Sequence, residues 1–110
     1  MSYARYKACI DACLRCVAVC TDCASQCIRH EGGHHHLARC IQTDLDCAAI
    51  CETAAKLMSS GSEFARELCK LCAKICRACA EECEKHIEMS HCRDCAVVCS
   101  ECADLCEKMS

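Results

Sequence analysis

The chain has 110 residues, enough for one small domain spanning 1–110, and its net charge of −3 is scattered along its length. That balance offers nothing to nucleic acid or to an anionic membrane surface. Leu, Ile, Val and Phe total only 18 against 19 Cys. An ordinary aliphatic core is therefore excluded, and Cys must fill the interior as a small hydrophobe or a metal ligand.

With no Pro, no Trp and abundant Ala, the composition favours helix almost everywhere. The residues from Met1 to Lys7 lead straight into cysteines and carry no secretory apolar core, and no stretch is apolar enough to span a bilayer. A cytoplasmic protein is the expectation. There, an odd number of thiols should be free or metal-bound, not paired in disulfides.

The first predicted helix, 2–30, carries Cys9, Cys13, Cys16, Cys20, Cys23 and Cys27. Their steps alternate between three and four, which on a helix makes one continuous stripe. Ile10, Val17 and Ala24 flank it on one side, Ala12 and Val19 on the other. The helix should break at Gly32-Gly33, because Cys27 and Cys40 would otherwise lie about 220° apart on one continuous helix. The second, 34–58, carries Cys40, Cys47 and Cys51, flanked by Ile41, Ala48, Ala55, Ile50 and Leu57. Asp44 occupies a stripe position between two of these thiols. Either it accepts hydrogen bonds inside the bundle, or the helix rotates to turn Thr43 inward. Ser59-Ser60-Gly61-Ser62 supplies the next break, with Ser62 as N-cap of the third helix.

The third helix, 62–87, carries Cys69, Cys72, Cys76, Cys79 and Cys83, flanked by Leu68, Ile75, Ala73, Ala80 and Ile87. Cys83 and Cys92 would lie about 180° apart on one helix, so a break is needed near Ser90, a good N-cap. The fourth, 90–108, carries Cys92, Cys95, Cys99, Cys102 and Cys106, flanked by Ala96, Ala103, Val98 and Leu105. Short joints make neighbouring helices antiparallel. The expected fold is all-α, an up-down-up-down antiparallel four-helix bundle with a cysteine-lined core. Lys70, Lys74, Arg77 and Glu81 are expected on solvated outer faces.

Thiols three and four apart on a helix can pinch a metal between them. Soft thiolates select Cu(I), Zn(II) or iron–sulfur clusters. Each Cu(I) cancels one thiolate, so a filled core is nearly neutral, whereas bridged zinc would leave net negative charge buried. Iron–sulfur spacings do not match the strict alternation, and one structural zinc needs four ligands, not 19. Six C-x-x-C pairs, beginning with Cys13/Cys16, fall mid-helix without the βαβ context of a thiol redox site. Multiple Cu(I) ions per chain, on the order of one per Cys, are the expected cargo. The alternative is a zinc or mixed soft-metal buffer with a metallothionein-like role. A thiol redox or di-iron enzyme is a more distant rival, since nothing supplies a substrate pocket or a general base; no enzymatic activity is expected.

The segments His35–Cys40, Asp46–Cys51, Leu71–Cys83 and His91–Cys99 resemble the cytosolic bacterial copper storage proteins, a family of cysteine-lined four-helix bundles. The resemblance covers nearly the whole chain. It implies a storage role, Cu(I) held along the bundle axis, assembly into a homotetramer and transfer to copper chaperones or copper enzymes.

Both the first and third joints lie at the same end of such a bundle. His30, His34, His35, His36, His86 and His91 therefore gather at one pole, beside Met89. His36, His86 and His91 are the candidate imidazole ligands of a mouth through which Cu(I) passes. For His34 and His35 a polar loop role stands equal to a ligand role. Met58 and Met109 lie in stripe phase at the opposite pole, where packing is the expected role. The pairs Glu31/His34 and Glu88/His91 match the Glu-x-x-His spacing of di-iron bundles, but both straddle helix breaks and are read as coincidence.

Overall fold

A computed structural model describes residues 2–33 and 35–110; His34 lies outside the described residues. Four long helices run Ser2–Ile28 (α1), Ala38–Ser60 (α2), Ala65–Glu84 (α3) and Ser90–Met109 (α4), with a short 3-10 turn at His35–Leu37. They form the expected up-down-up-down bundle, 48 × 18 × 17 Å. Each helix packs mainly on its two neighbours, α1 on α2 and α4, and α3 on α2 and α4. Among the described residues, no helix is long and apolar enough to cross a membrane.

The helix ends differ from expectation by a few residues, for local reasons. α1 stops at Ile28, and the chain turns through Gly33, whose φ of 87° is left-handed. α2 begins four residues later than predicted because His35–Leu37 winds as a 3-10 turn, which drops Leu37 completely into the core. It ends on Gly61 at φ 71°, where Ser62 N–H returns to Leu57 O at 3.0 Å, a left-handed cap that suits Gly. Ser62 does not cap α3 directly. Its hydroxyl accepts from Phe64 N–H at 3.0 Å and shapes the turn before the helix starts at Ala65. α3 stops at Glu84, so Ile87, expected as a flank, stands exposed in the turn at 53%. Ser90 is the first residue of α4 and not its cap; Met89 precedes it in extended conformation.

Every cysteine is buried, and the predicted stripes meet along the bundle axis. Small flanks allow that approach. Ala12, Ala24, Ala55, Ala73, Ala80, Ala96 and Ala103 are all buried at helix contacts, and half-buried Ile41, Ile50, Ile75, Val98 and Leu105 seal the seams. Arg77 is more than a solvated residue. It crosses from α3 to α4 and pairs with Asp104 at 2.9 Å and Glu107 at 2.7 Å.

Candidate metal centre: a thiol tube with two unlike poles

Thiols from the four helices stack in layers. Nearest the methionine pole, Cys9 Sγ lies 3.4 Å from Cys106 Sγ. Above it come the quartets Cys13/Cys51/Cys72/Cys102 and Cys16/Cys51/Cys76/Cys102. Next are Cys16/Cys20/Cys47/Cys99 and Cys20/Cys79/Cys95/Cys99, and then Cys23/Cys27/Cys40/Cys92 under the histidine pole. Within each quartet the sulfurs lie within 4.8 Å of one another. The first draws one thiol from every helix.

The geometry suits soft-metal cages. With metal–sulfur bonds of about 2.3 Å, sulfurs around one ion stand about 3.8–4.6 Å apart, depending on coordination number. The tube offers contacts of 3.4 Å for Cys20–Cys99 and Cys47–Cys76, 3.6 Å for Cys51–Cys72 and 3.9 Å for Cys47–Cys99. Shared corners, such as Cys51 and Cys102 in two quartets, let one sulfur bridge two ions. Burial pushes the Cys27 thiol up to about 11, helped by negative charge at Cys40. Metal entering there must displace a proton.

Asp44 settles the alternative left open by the sequence. It is 0% exposed and faces the tube. Its Oδ1 accepts from Cys79 Sγ at 3.2 Å, Cys95 Sγ at 3.3 Å and Cys83 Sγ at 3.7 Å. Thr43 bonds back to its own helix, to Arg39 O at 3.0 Å and Cys40 O at 3.1 Å. Burial raises the Asp44 carboxyl to about 11, so it is neutral at pH 7. One oxygen site thus separates the histidine-side thiols from the long sulfur stack.

The histidine pole is assembled from two joints, α1–α2 and α3–α4. The His36 ring sits 5.7 Å from His30 and 6.0 Å from His86, edge to face. His91 goes elsewhere, with Nε2 3.4 Å from Cys27 Sγ. Of the three candidate imidazoles, His86 is buried, His91 half-buried and His36 exposed. At the other pole Met58 is fully buried, and half-buried Met109 and Tyr6 pack against the same core.

One polar residue here escaped the sequence reading. Glu82 is only 6% exposed and binds His86, Lys85 and Arg39. The signal was present: Leu68, Ile75 and Glu82 are spaced by seven, so a carboxylate continues an apolar flank.

A family model described as copper storage protein matches residues 2–110. The chain belongs to the copper storage protein family. A cysteine-rich protein of Bacillus subtilis strain 168, YhjQ, is 45% identical over 80 residues, 73% of each chain. Cu(I)-bound BsCsp3, a copper storage protein of Bacillus subtilis, is 42% identical, with coverage of 99% and 98% and a TM-score of 0.89. A cytosolic copper storage protein of Streptomyces lividans holding five coppers is 35% identical, with coverage of 98% and 93% and a TM-score of 0.91. The two structural relatives are copper storage proteins. The zinc or mixed-metal reading gains no support from them and is dropped.

Proposed function

We propose that the whole chain, 1–110, acts as one non-enzymatic domain that stores Cu(I) in the cytosol through bridging thiolates of its 19 cysteines. The observation that carries this reading is the run of buried thiol quartets along one axis. Each Cu(I) replaces thiol protons and cancels one thiolate charge, so filling the tube keeps its interior close to neutral. His36, His86 and His91 form the mouth, where weaker imidazole sites pass ions between solution and the tube. The apolar and alanine flanks hold the helices together without metal, so the copper-free protein stays helical.

Assembly into a homotetramer belongs to the same proposal. Leu14, Leu45, Leu71 and Val97, each about half exposed, supply apolar surface for it. Stored copper would pass to copper chaperones or copper enzymes.

Anaerobic titration of the reduced protein with Cu(I), against a competing chelator, tests the storage reading. Uptake should continue to about 20 ions per chain, on the order of one per Cys. Saturation near four or five would sink it and leave discrete closed clusters. Light scattering on the same sample reads the oligomeric state.

A further inference from the structure

A buried carboxylate on a helix flank needs a reason, because leaving it there costs stability unless its charge is matched. Glu82 occupies the position that Ile75 and Leu68 fill one and two heptads earlier. Its Oε1 receives Arg39 Nε from α2 at 3.2 Å and Lys85 Nζ at 3.2 Å. Both cations are mostly exposed, with side chains 68% and 66% accessible, and they pin the carboxylate from the solvent side. Its Oε2 is left for one partner. His86 Nε2 lies 3.2 Å away, one helical turn on, and His86 is itself only 9% exposed.

A carboxylate can only accept, so Nε2 must carry the hydrogen. In the neutral ring that leaves Nδ1 with its lone pair, the one ring nitrogen able to bind a soft cation. A carboxylate behind a ligating imidazole also fixes the ring and strengthens it as a donor. We propose that Glu82 is a positioning residue for copper transfer: it holds His86 as the Nε2–H tautomer and so keeps Nδ1 available to Cu(I) at the mouth. Arg39 ties the carboxylate to the residue next to Cys40, so the imidazole is set relative to the first thiols of the tube. The proposal rests on the histidine-mouth reading. It adds a residue that touches no metal.

Glu82→Leu restores the apolar flank and should leave the apo fold intact, whereas Glu82→Gln keeps an acceptor oxygen. Two measurements separate the possibilities. Long-range 1H–15N NMR of the labelled apo-protein should show His86 as one Nε2–H tautomer, turning to a mixture in Glu82→Leu. Stopped-flow transfer from a Cu(I)–chelator complex should slow by about 10–100-fold in Glu82→Leu, with Glu82→Gln nearer the parent. The double variant Glu82→Leu/His86→Ala should be no slower than His86→Ala alone. Additive slowing, or a His86 tautomer that is Nδ1–H or unchanged in Glu82→Leu, overturns the proposal. If Glu82→Leu misfolds, the parent and Glu82→Gln spectra still decide the tautomer. Parent-like transfer in His86→Ala also overturns the copper role. A locked tautomer beside it would show that the mouth reading, and not the Glu82–His86 coupling, was the part that failed.

Discussion

The two ends of the bundle are built from the same helix repeat and reach opposite chemistry. At the methionine pole α2 runs out of thiols: Ala54 and Met58 take the inward positions and both are completely buried. Half-buried Met109 and Tyr6 pack against the same core, so this end is filled by apolar side chains. At the histidine pole the loops between helices bring in imidazoles, and Glu82, Arg39 and Lys85 replace apolar seals. A helix pair that ends in packed thioether excludes water and ions. One that ends in imidazoles backed by a paired carboxylate holds weak donors near the surface. On the proposed reading copper exchanges at the histidine end alone, and the methionine end can be left to ordinary packing.

Matched substitutions at the two ends would break or sharpen that contrast. Replacing His36, His86 and His91 by Ala should slow removal of copper by a strong chelator by tenfold or more. Total capacity should stay nearly intact, because the thiol quartets are untouched. Met58→Ala should do the reverse: it costs the apo-protein about 2–5 kcal/mol in thermal or denaturant unfolding, as a large core truncation does. It also opens a second, faster exit for copper. Equal exchange kinetics in both variants would erase the distinction between the poles.

Asp44, at the boundary between the two regions, should carry a pH signature. Its folded pKa of about 11 lies above the unfolded value of about 3.9. The folded state therefore keeps a proton that the unfolded chain loses, and the resulting stabilisation is complete below about pH 4 and declines as pH rises. Between pH 5 and 7.5 its contribution falls by up to about 1.4 kcal/mol per pH unit. Asp44→Asn has no proton to lose, so its stability should gain on the parent steadily across that window in urea titrations of reduced apo-protein. Parallel pH profiles for the two proteins would refute this account.

The smallest effect belongs to Arg77, which joins α3 to α4 through Asp104 and Glu107 towards the methionine pole. These pairs are solvent-screened, so Arg77→Ala should cost about 0.5–1 kcal/mol, diminishing with added salt, and leave copper exchange unchanged. An altered exchange rate would mean that the methionine end depends on this surface brace.

The alternation of three and four in the cysteine spacing made the helices, their inward faces and the four-helix bundle legible in the sequence. Phase breaks located the first and third joints to within a few residues, because a helix cannot carry two such stripes far out of phase and bury both, and Ser59-Ser60-Gly61-Ser62 marked the second. Soft-donor chemistry then pointed to Cu(I). What periodicity does not encode is which polar residues fold inward. Asp44 and Thr43 were indistinguishable as neighbours in sequence; the closed bundle put the carboxyl among three thiols of α3 and α4 and turned the hydroxyl back on its own helix. Glu82 sat in a heptad phase with Leu68 and Ile75, yet its worth depended on Arg39, 43 residues away in sequence, arriving from another helix. The division of the histidines, with His36 between His30 and His86 but His91 against Cys27, likewise required the joints to close in space. Local repeat fixes where each side chain points along its own helix. Only the tertiary fold decides which partner stands there to meet it.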